Sequence, residues 1–225
     1  MTMHTQTGSP KPRGLWIAFF GLDGVGKSST IEQAEKQLGA EFSGVVPFHF
    51  RPMFRSRGVD RPPVSDPHGR TPHGVLLSIG KLLYWLADCW YGYLIAILPA
   101  VRGSELVIFD RYLSDVLVDP LRYRLSGSSV KVAKWLLNLA PRPDLCILLD
   151  APAEVVHTRK HELSLRESKR LRIAYLRMFA SQARHHIVNA DRPIEEVVGS
   201  VNNVIARALA RHLSQEPEAS LIAEL

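Results

Sequence analysis

The stretch "LWIAFFGLDGVGKSST", residues 15–30, decides the fold. Its first six residues are nearly all apolar, the pattern of a strand buried on both faces. Three glycines, a lysine and two serines follow at once, and "SSTIEQAEKQL" (28–38) then takes up helical spacing. "GLDGVGKS" fits G-x-x-x-x-G-K-[ST], with Gly21, Gly26, Lys27 and Ser28 at the required positions. Glycine lets such a loop adopt conformations barred to other residues and come close to a ligand. Its successive N–H groups and the positive end of the following helix then face phosphate oxygens. Lys27 is expected to neutralise the β- and γ-phosphates of ATP, and Ser28 to hold Mg²⁺. Asp23, Gly24 and Ser29 complete the expected nucleotide-binding loop.

Downstream, apolar runs alternate with helical segments. "GVVPFHF" (44–50), "ELVIFD" (105–110), "DLCILLD" (144–150) and "HHIVNA" (185–190) read as further strands. Helices are expected over 28–38, 75–101, 130–140 and most of a basic region at 152–184. A last one starts after Asp191 and Pro193, with Val197, Val201, Val204, Ile205 and Ala208 on one stripe. The alternation predicts an α/β protein, a three-layer P-loop NTPase fold whose five-stranded parallel sheet carries helices on both faces. Ligands of such sheets bind beyond the carboxyl ends of the strands, where Gly21, Arg51, Asp110 and Asp150 fall. No repeat or linker interrupts the chain. One domain is expected over 15–213, after a disordered lead (1–14) and before a tail (214–225).

Composition narrows the partners. The 225 residues carry 28 Lys+Arg against 22 Asp+Glu, a net charge of +6 that favours anionic ligands such as nucleotides. Cys89 and Cys146 sit in apolar runs and read as buried, reduced thiols, and no Cys/His group has zinc spacing. The lead lacks the apolar core of a secretory signal, so a cytoplasmic location is expected. Residues 75–101 are long enough to cross a bilayer, but Lys81 and Asp88 interrupt them. A long buried helix is expected instead of a membrane span.

Four segments in order resemble the thymidylate kinase family: "FFGLDGVGKSST" (19–30), "VIFDRYLSD" (107–115), "PDLCILLDAPAEVVHTRK" (143–160) and "IVNADRPIEEVVGSV" (187–201). The resemblance implies a nucleoside monophosphate kinase that moves the γ-phosphoryl of ATP to dTMP. Two polyanions then meet, so arginines and Mg²⁺ are needed against their repulsion. By this resemblance Asp110 acts through water on Mg²⁺ with Ser28, or orients Ser28 and Arg111. Arg111 clamps the acceptor phosphate, its planar fork suiting an oxyanion better than lysine, with a structural Asp–Arg pair as the alternative. Tyr112 and Asp115 join Arg111 on the acceptor side. The family's mobile lid falls at about 157–172, where six Lys/Arg meet two Glu. Arg159 is its best catalytic match, with Arg166 and Arg170 near the same face of a continuous helix. Arg192 is placed beside the adenine. The family often dimerises, and Trp85, Trp90, Tyr91 and Tyr93 on the 75–101 helix offer a face for that.

The chain departs from the family after the second strand. The usual Arg-Glu-Pro-Gly-Gly is replaced by "HFRPMFRSRG" (49–58), a His-x-Arg-Pro variant in which only Arg51 and Pro52 correspond. The acceptor base would be read there, so the departure leaves the fold and the ATP site in place and bears on the acceptor alone. By the resemblance dTMP leads, with a sugar or glycan precursor as the variant. A hydroxyl acceptor would call on Asp110 or Asp115 as base. A nucleotide-dependent binding module with little transfer is the reading from another class. The basic clusters lack the interleaved aromatic residues of single-strand binders, so no nucleic acid is expected.

Overall fold

The computed structural model describes residues 13–52, 71–161, 163–180 and 184–215. Most of the expected lead, the arginine-rich residues 53–70 and the tail beyond Gln215 lie outside the described residues. Strands β1 (Leu15–Phe20), β2 (Val45–His49), β3 (Leu106–Asp110), β4 (Leu145–Asp150) and β5 (His185–Asn189) form one sheet in the order β2-β3-β1-β4-β5. All pairings are parallel. Every residue of β1 is buried, as an all-apolar central strand with neighbours on both sides and helices above and below requires. The edge strands β2 and β5 are only partly buried.

Register places the functional ends level. Phe19 pairs with Asp110 across β1–β3, and Phe20 with Leu148 across β1–β4. The turn after β1 therefore opens between the ends of β3 and β4. Helix α1 (Lys27–Leu38) follows it directly and packs on α8 (Ile194–Gln215). A second layer holds α2 (Val75–Gly92), α4 (Asp115–Val118), α5 (Val130–Leu137) and α7 (Leu165–Phe179), in which α2 packs on α5, α5 on α4, α4 on α7, and α7 on β4 and β5.

Two expectations about helices are corrected. The segment from Val75 is one long apolar helix, but only a third of its most apolar window is buried. Helix α2 turns Ser78, Leu82, Trp85 and Cys89 inward and leaves Leu76, Leu77, Leu83, Tyr84, Trp90 and Tyr91 exposed. It runs on through a π-helical turn (Tyr93–Ile97) into α3 (Leu98–Arg102). Pro99 supplies no N–H to that stretch, which widens the turn ahead of it. By length and composition this is the one helix among the described residues that could cross a membrane, yet Lys81 on it donates to the Tyr123 carbonyl at 2.7 Å within the domain.

The basic region is likewise not continuous. Helix α6 (Ala153–Arg159) ends at Lys160, whose backbone is extended, and α7 restarts after Ser164. The Ser164 hydroxyl accepts from the Glu167 N–H at 3.3 Å, an N-cap that fixes the break. Arg159 thus lies on a different helix from Arg166 and Arg170. Both cysteines are buried free thiols, and burial pushes each up to about 12.

Candidate functional site

The glycine loop bends where a side chain would be strained. Gly21, Gly24 and Gly26 have φ of 142°, 89° and 101°. A Cβ on Gly26 would meet nothing within 4 Å, so open space lies over the loop beside the start of α1. A Cβ on Gly24 would come within 2.8 Å of the Lys160 Cβ, which brings the end of α6 directly against the loop. Lys27 is buried and donates to the Gly21 and Leu22 carbonyls at 3.0 and 2.9 Å. Burial, and then the charge of Arg111, bring its ammonium down to about 8. Ser28 and Ser29 are exposed at the first turn of α1.

Across the loop, β3 ends in Asp110 and the chain turns at Arg111, whose φ of 67° is left-handed and unfavourable for a non-glycine residue. Its N–H still donates to the Phe19 carbonyl at 2.9 Å, so the sheet holds the backbone while the side chain is carried over the strand ends. Strain of this kind, of order 1 kcal/mol or more, is kept where a side chain must be aimed. The Arg111 guanidinium is only 4% exposed. Nη1 donates to both Asp115 oxygens at 3.1 and 2.9 Å and to the Tyr175 hydroxyl at 2.6 Å, and Nη2 donates to Asp23 Oδ1 at 2.6 Å. Arg122 donates to the other Asp23 oxygen. Burial opposes ionisation of Asp23, but Arg111, Arg122 and Lys27 outweigh it and hold the carboxyl well below the usual range.

Asp115 and Tyr112 are both buried. Asp115 is fully buried and accepts from Arg111, from the Tyr175 hydroxyl and from the Tyr123 hydroxyl at 2.7 Å. It holds Arg111 in place. Tyr112 is a core residue, packed on Trp16 and Phe109 with its hydroxyl donating to the Pro141 carbonyl at 2.8 Å. In "DRYLSD" the turn at Arg111 sends Asp110, Arg111 and Asp115 to the charged cluster and Tyr112 and Leu113 to the core, which the motif's linear order hides. Arg122, Tyr123 and Tyr175 join the cluster from 11, 12 and 64 residues beyond Arg111. No spacing links Tyr175 to the motif.

Asp110 is shaped differently. Burial pushes its carboxyl up, yet His49, Lys27 and Arg111 prevail and lower it. His49 Nδ1 stands 3.6 Å from Oδ2, while the buried Oδ1 has no hydrogen-bond partner. A buried carboxylate oxygen without a donor, beside Lys27 at the start of α1, is chemistry suited to a hard cation such as Mg²⁺ or its bound water. At the end of β4, Asp150 is held by Arg172 of α7 through two bonds of 2.8 Å.

Arg51 belongs to another corner. It lies 3.9 Å from the buried Asp88 and over the rings of Tyr84 and Trp85 at 5.5 and 5.6 Å. Beside it an open cavity of about 300 Å³ is lined by Tyr84, Ala87, Asp88 and Tyr91. Tyr123 joins the two corners, since it stacks on Phe50 at 4.6 Å, meets Trp85 edge-on and donates to Asp115. Arg159, Arg166 and Arg170 are exposed, and Arg192 is exposed with Glu196 at 3.5 Å.

A family model described as thymidylate kinase matches residues 19–201. A probable thymidylate kinase of Pyrobaculum aerophilum is 27% identical over 208 residues, covering 86% of this chain and 97% of that protein. A thymidylate kinase of Leifsonia xyli is 30% identical over 205 residues, covering 84% and 92%. Among solved structures, thymidylate kinase from Ehrlichia chaffeensis superposes with a TM-score of 0.56 at 18% identity, over 86% of this chain and all of that one, a likeness of fold.

Proposed function

The chain belongs to the thymidylate kinase family, and from that premise we propose that it moves the γ-phosphoryl of ATP to dTMP, giving dTDP and ADP. One observation carries the reading. The glycine loop and the Asp110-Arg111 turn, more than 80 residues apart in sequence, share one charge cluster through Asp23, so donor and acceptor phosphates would meet over it.

Lys27 has an ammonium to offer the β- and γ-oxygens, and its present carbonyl partners release it as the phosphate enters. Mg²⁺ would be held by the Ser28 hydroxyl and Asp110, and it would neutralise charge building between β- and γ-phosphates. Arg111 faces the acceptor phosphate from the side of Asp23, held by Asp115 and Tyr175 beneath. The acceptor is already an anion, so no base is required and positioning with electrostatic stabilisation does the work. Arg159 at the end of α6, and Arg166 and Arg170 on α7, close over the transferring group from the lid, and Arg192 lies along the adenine. Arg51 and the cavity on α2 take the acceptor's base. The exposed apolar face of α2 covers itself against a second copy, and the enzyme works in the cytoplasm.

The test is ADP release across a panel of nucleoside monophosphates, with Lys27→Ala as the control. Turnover with dTMP well above the rest, lost in Lys27→Ala, supports the reading. Equal trace turnover of every monophosphate refutes it.

A further inference from the structure

We propose that Arg122 is the second guanidinium of the acceptor-phosphate site, pairing with Arg111 around a position that Asp23 occupies when the acceptor is absent. The inference rests on the reading that this site takes a phosphorylated acceptor, and it deepens that reading.

The geometry around Asp23 carries it. Its carboxylate is bridged, with Arg111 Nη2 on one oxygen and Arg122 Nη1 on the other. Two guanidiniums converging on two oxygens of one anion is the arrangement in which arginines hold a phosphate. Burial, and then Arg111, disfavour the charge on Arg122, and the Asp23 carboxylate between the two guanidiniums helps to outweigh both. A chain gains nothing by holding two such forks together unless an anion sits between them. Asp115 does not serve there, since it is fully buried and spends its oxygens on Arg111, Tyr123 and Tyr175.

The two arginines also differ as a site requires. Arg111 is sealed at 5% side-chain exposure, while Arg122 keeps 28% and closes the cluster on its open side. The main-chain N–H of Arg122 donates to Asp119 Oδ1 at 3.3 Å, which anchors the turn that presents the guanidinium. The sequence placed an acceptor-binding arginine at Arg51, but Arg51 is engaged with Asp88, Tyr84 and Trp85 at the other corner. Arg122 fills that place. With the phosphate bound, Asp23 gives up its two guanidiniums to the acceptor and pairs with Lys27, now 3.9 Å away.

The experiment compares dTMP with thymidine, which lacks the phosphate, by calorimetry on the full chain. Wild type should prefer dTMP. Arg122→Gln should lose about tenfold to a hundredfold of that preference, the span expected for a charge-assisted phosphate contact, with thymidine affinity and the KM for ATP unchanged. Arg122→Lys, which keeps the charge without the fork, should lie between them, and it reads the same gap if Arg122→Gln fails to fold. An unchanged preference in both variants overturns the proposal, as does an equal loss of ATP binding. A wild type that ignores dTMP but releases ADP with another phosphorylated acceptor refutes the thymidylate reading alone, and the same gap, measured on that acceptor against its dephosphorylated form, then decides on Arg122.

Discussion

Removing Asp115 tests whether the cluster is built around a buried ion pair. In Asp115→Ala the Arg111 guanidinium, 4% exposed, keeps Tyr175 and Asp23 but loses both contacts to the carboxylate that neutralises it. Breaking a buried pair from one side costs about 3–5 kcal/mol. In a chain of this size each kcal/mol moves the melting temperature by about 2–4 °C, so a fall of about 6–20 °C is expected. Tyr123→Phe removes one bond to the same carboxylate, which is worth about 1.5–3 kcal/mol and so about 3–12 °C. Because both changes strip one carboxylate, the double variant should lose less than the sum. Calorimetric melting of the four proteins measures all three quantities. If Asp115→Ala melts within about 2 °C of wild type, or if the two losses add in full, the ion pair is not what holds Arg111.

Lys27 makes ATP binding pH-dependent. Its pKa is lowered to about 8 against 10.5 unfolded, so the unfolded chain binds the extra proton between those values and this group's destabilisation, full below pH 8, fades as pH rises through the window. Nucleotide phosphates restore the proton, so at pH 8 binding of ATP–Mg should take up about half a proton, read as a buffer-dependent heat in calorimetry; no uptake refutes the assignment. The exposed face of α2 and the π turn behind it gives a mass prediction. Leu94 and Ile95 are 56% and 53% exposed. Replacing both by Glu should weaken self-association at least about a hundredfold in sedimentation at micromolar concentration, and a wild type already monomeric there refutes the dimer.

The fold was legible because its signals are local. Each buried strand is a short apolar run, and the glycine motif sits where a strand hands over to a helix, so neighbours in sequence carry the whole inference. Gly21, Asp110 and Asp150 were placed at the strand ends for that reason. Partners across the sheet were not legible, since nothing in "DRYLSD" tells that Arg111 takes a left-handed backbone, and that one torsion decides that Asp115 lies under the guanidinium while Tyr112 joins Trp16 and Phe109. The long helix misled for a different reason. Hydrophobicity reports that a face leaves water, and the same composition serves a core or a contact between molecules.

The break at Lys160–Ser164 bears on how a lid could move. Helix α7 is pinned at two points one turn apart, by Arg172 on Asp150 and by Tyr175 on Arg111 and Asp115. Arg172 is half-buried and Tyr175 buried, and both donate to carboxylates, so sliding α7 would strip Asp150 and Asp115 of partners. Its first turn, with exposed Arg166, stands about 13 Å along the axis from Tyr175, far enough to reach out over the loop while the anchors stay fixed. Motion is therefore left to the segment between the helices and to α6, whose end already lies against Gly24. In the proposed reaction Tyr175 would tie α7 to the acceptor arginine, while Arg159 stands on α6, across the break.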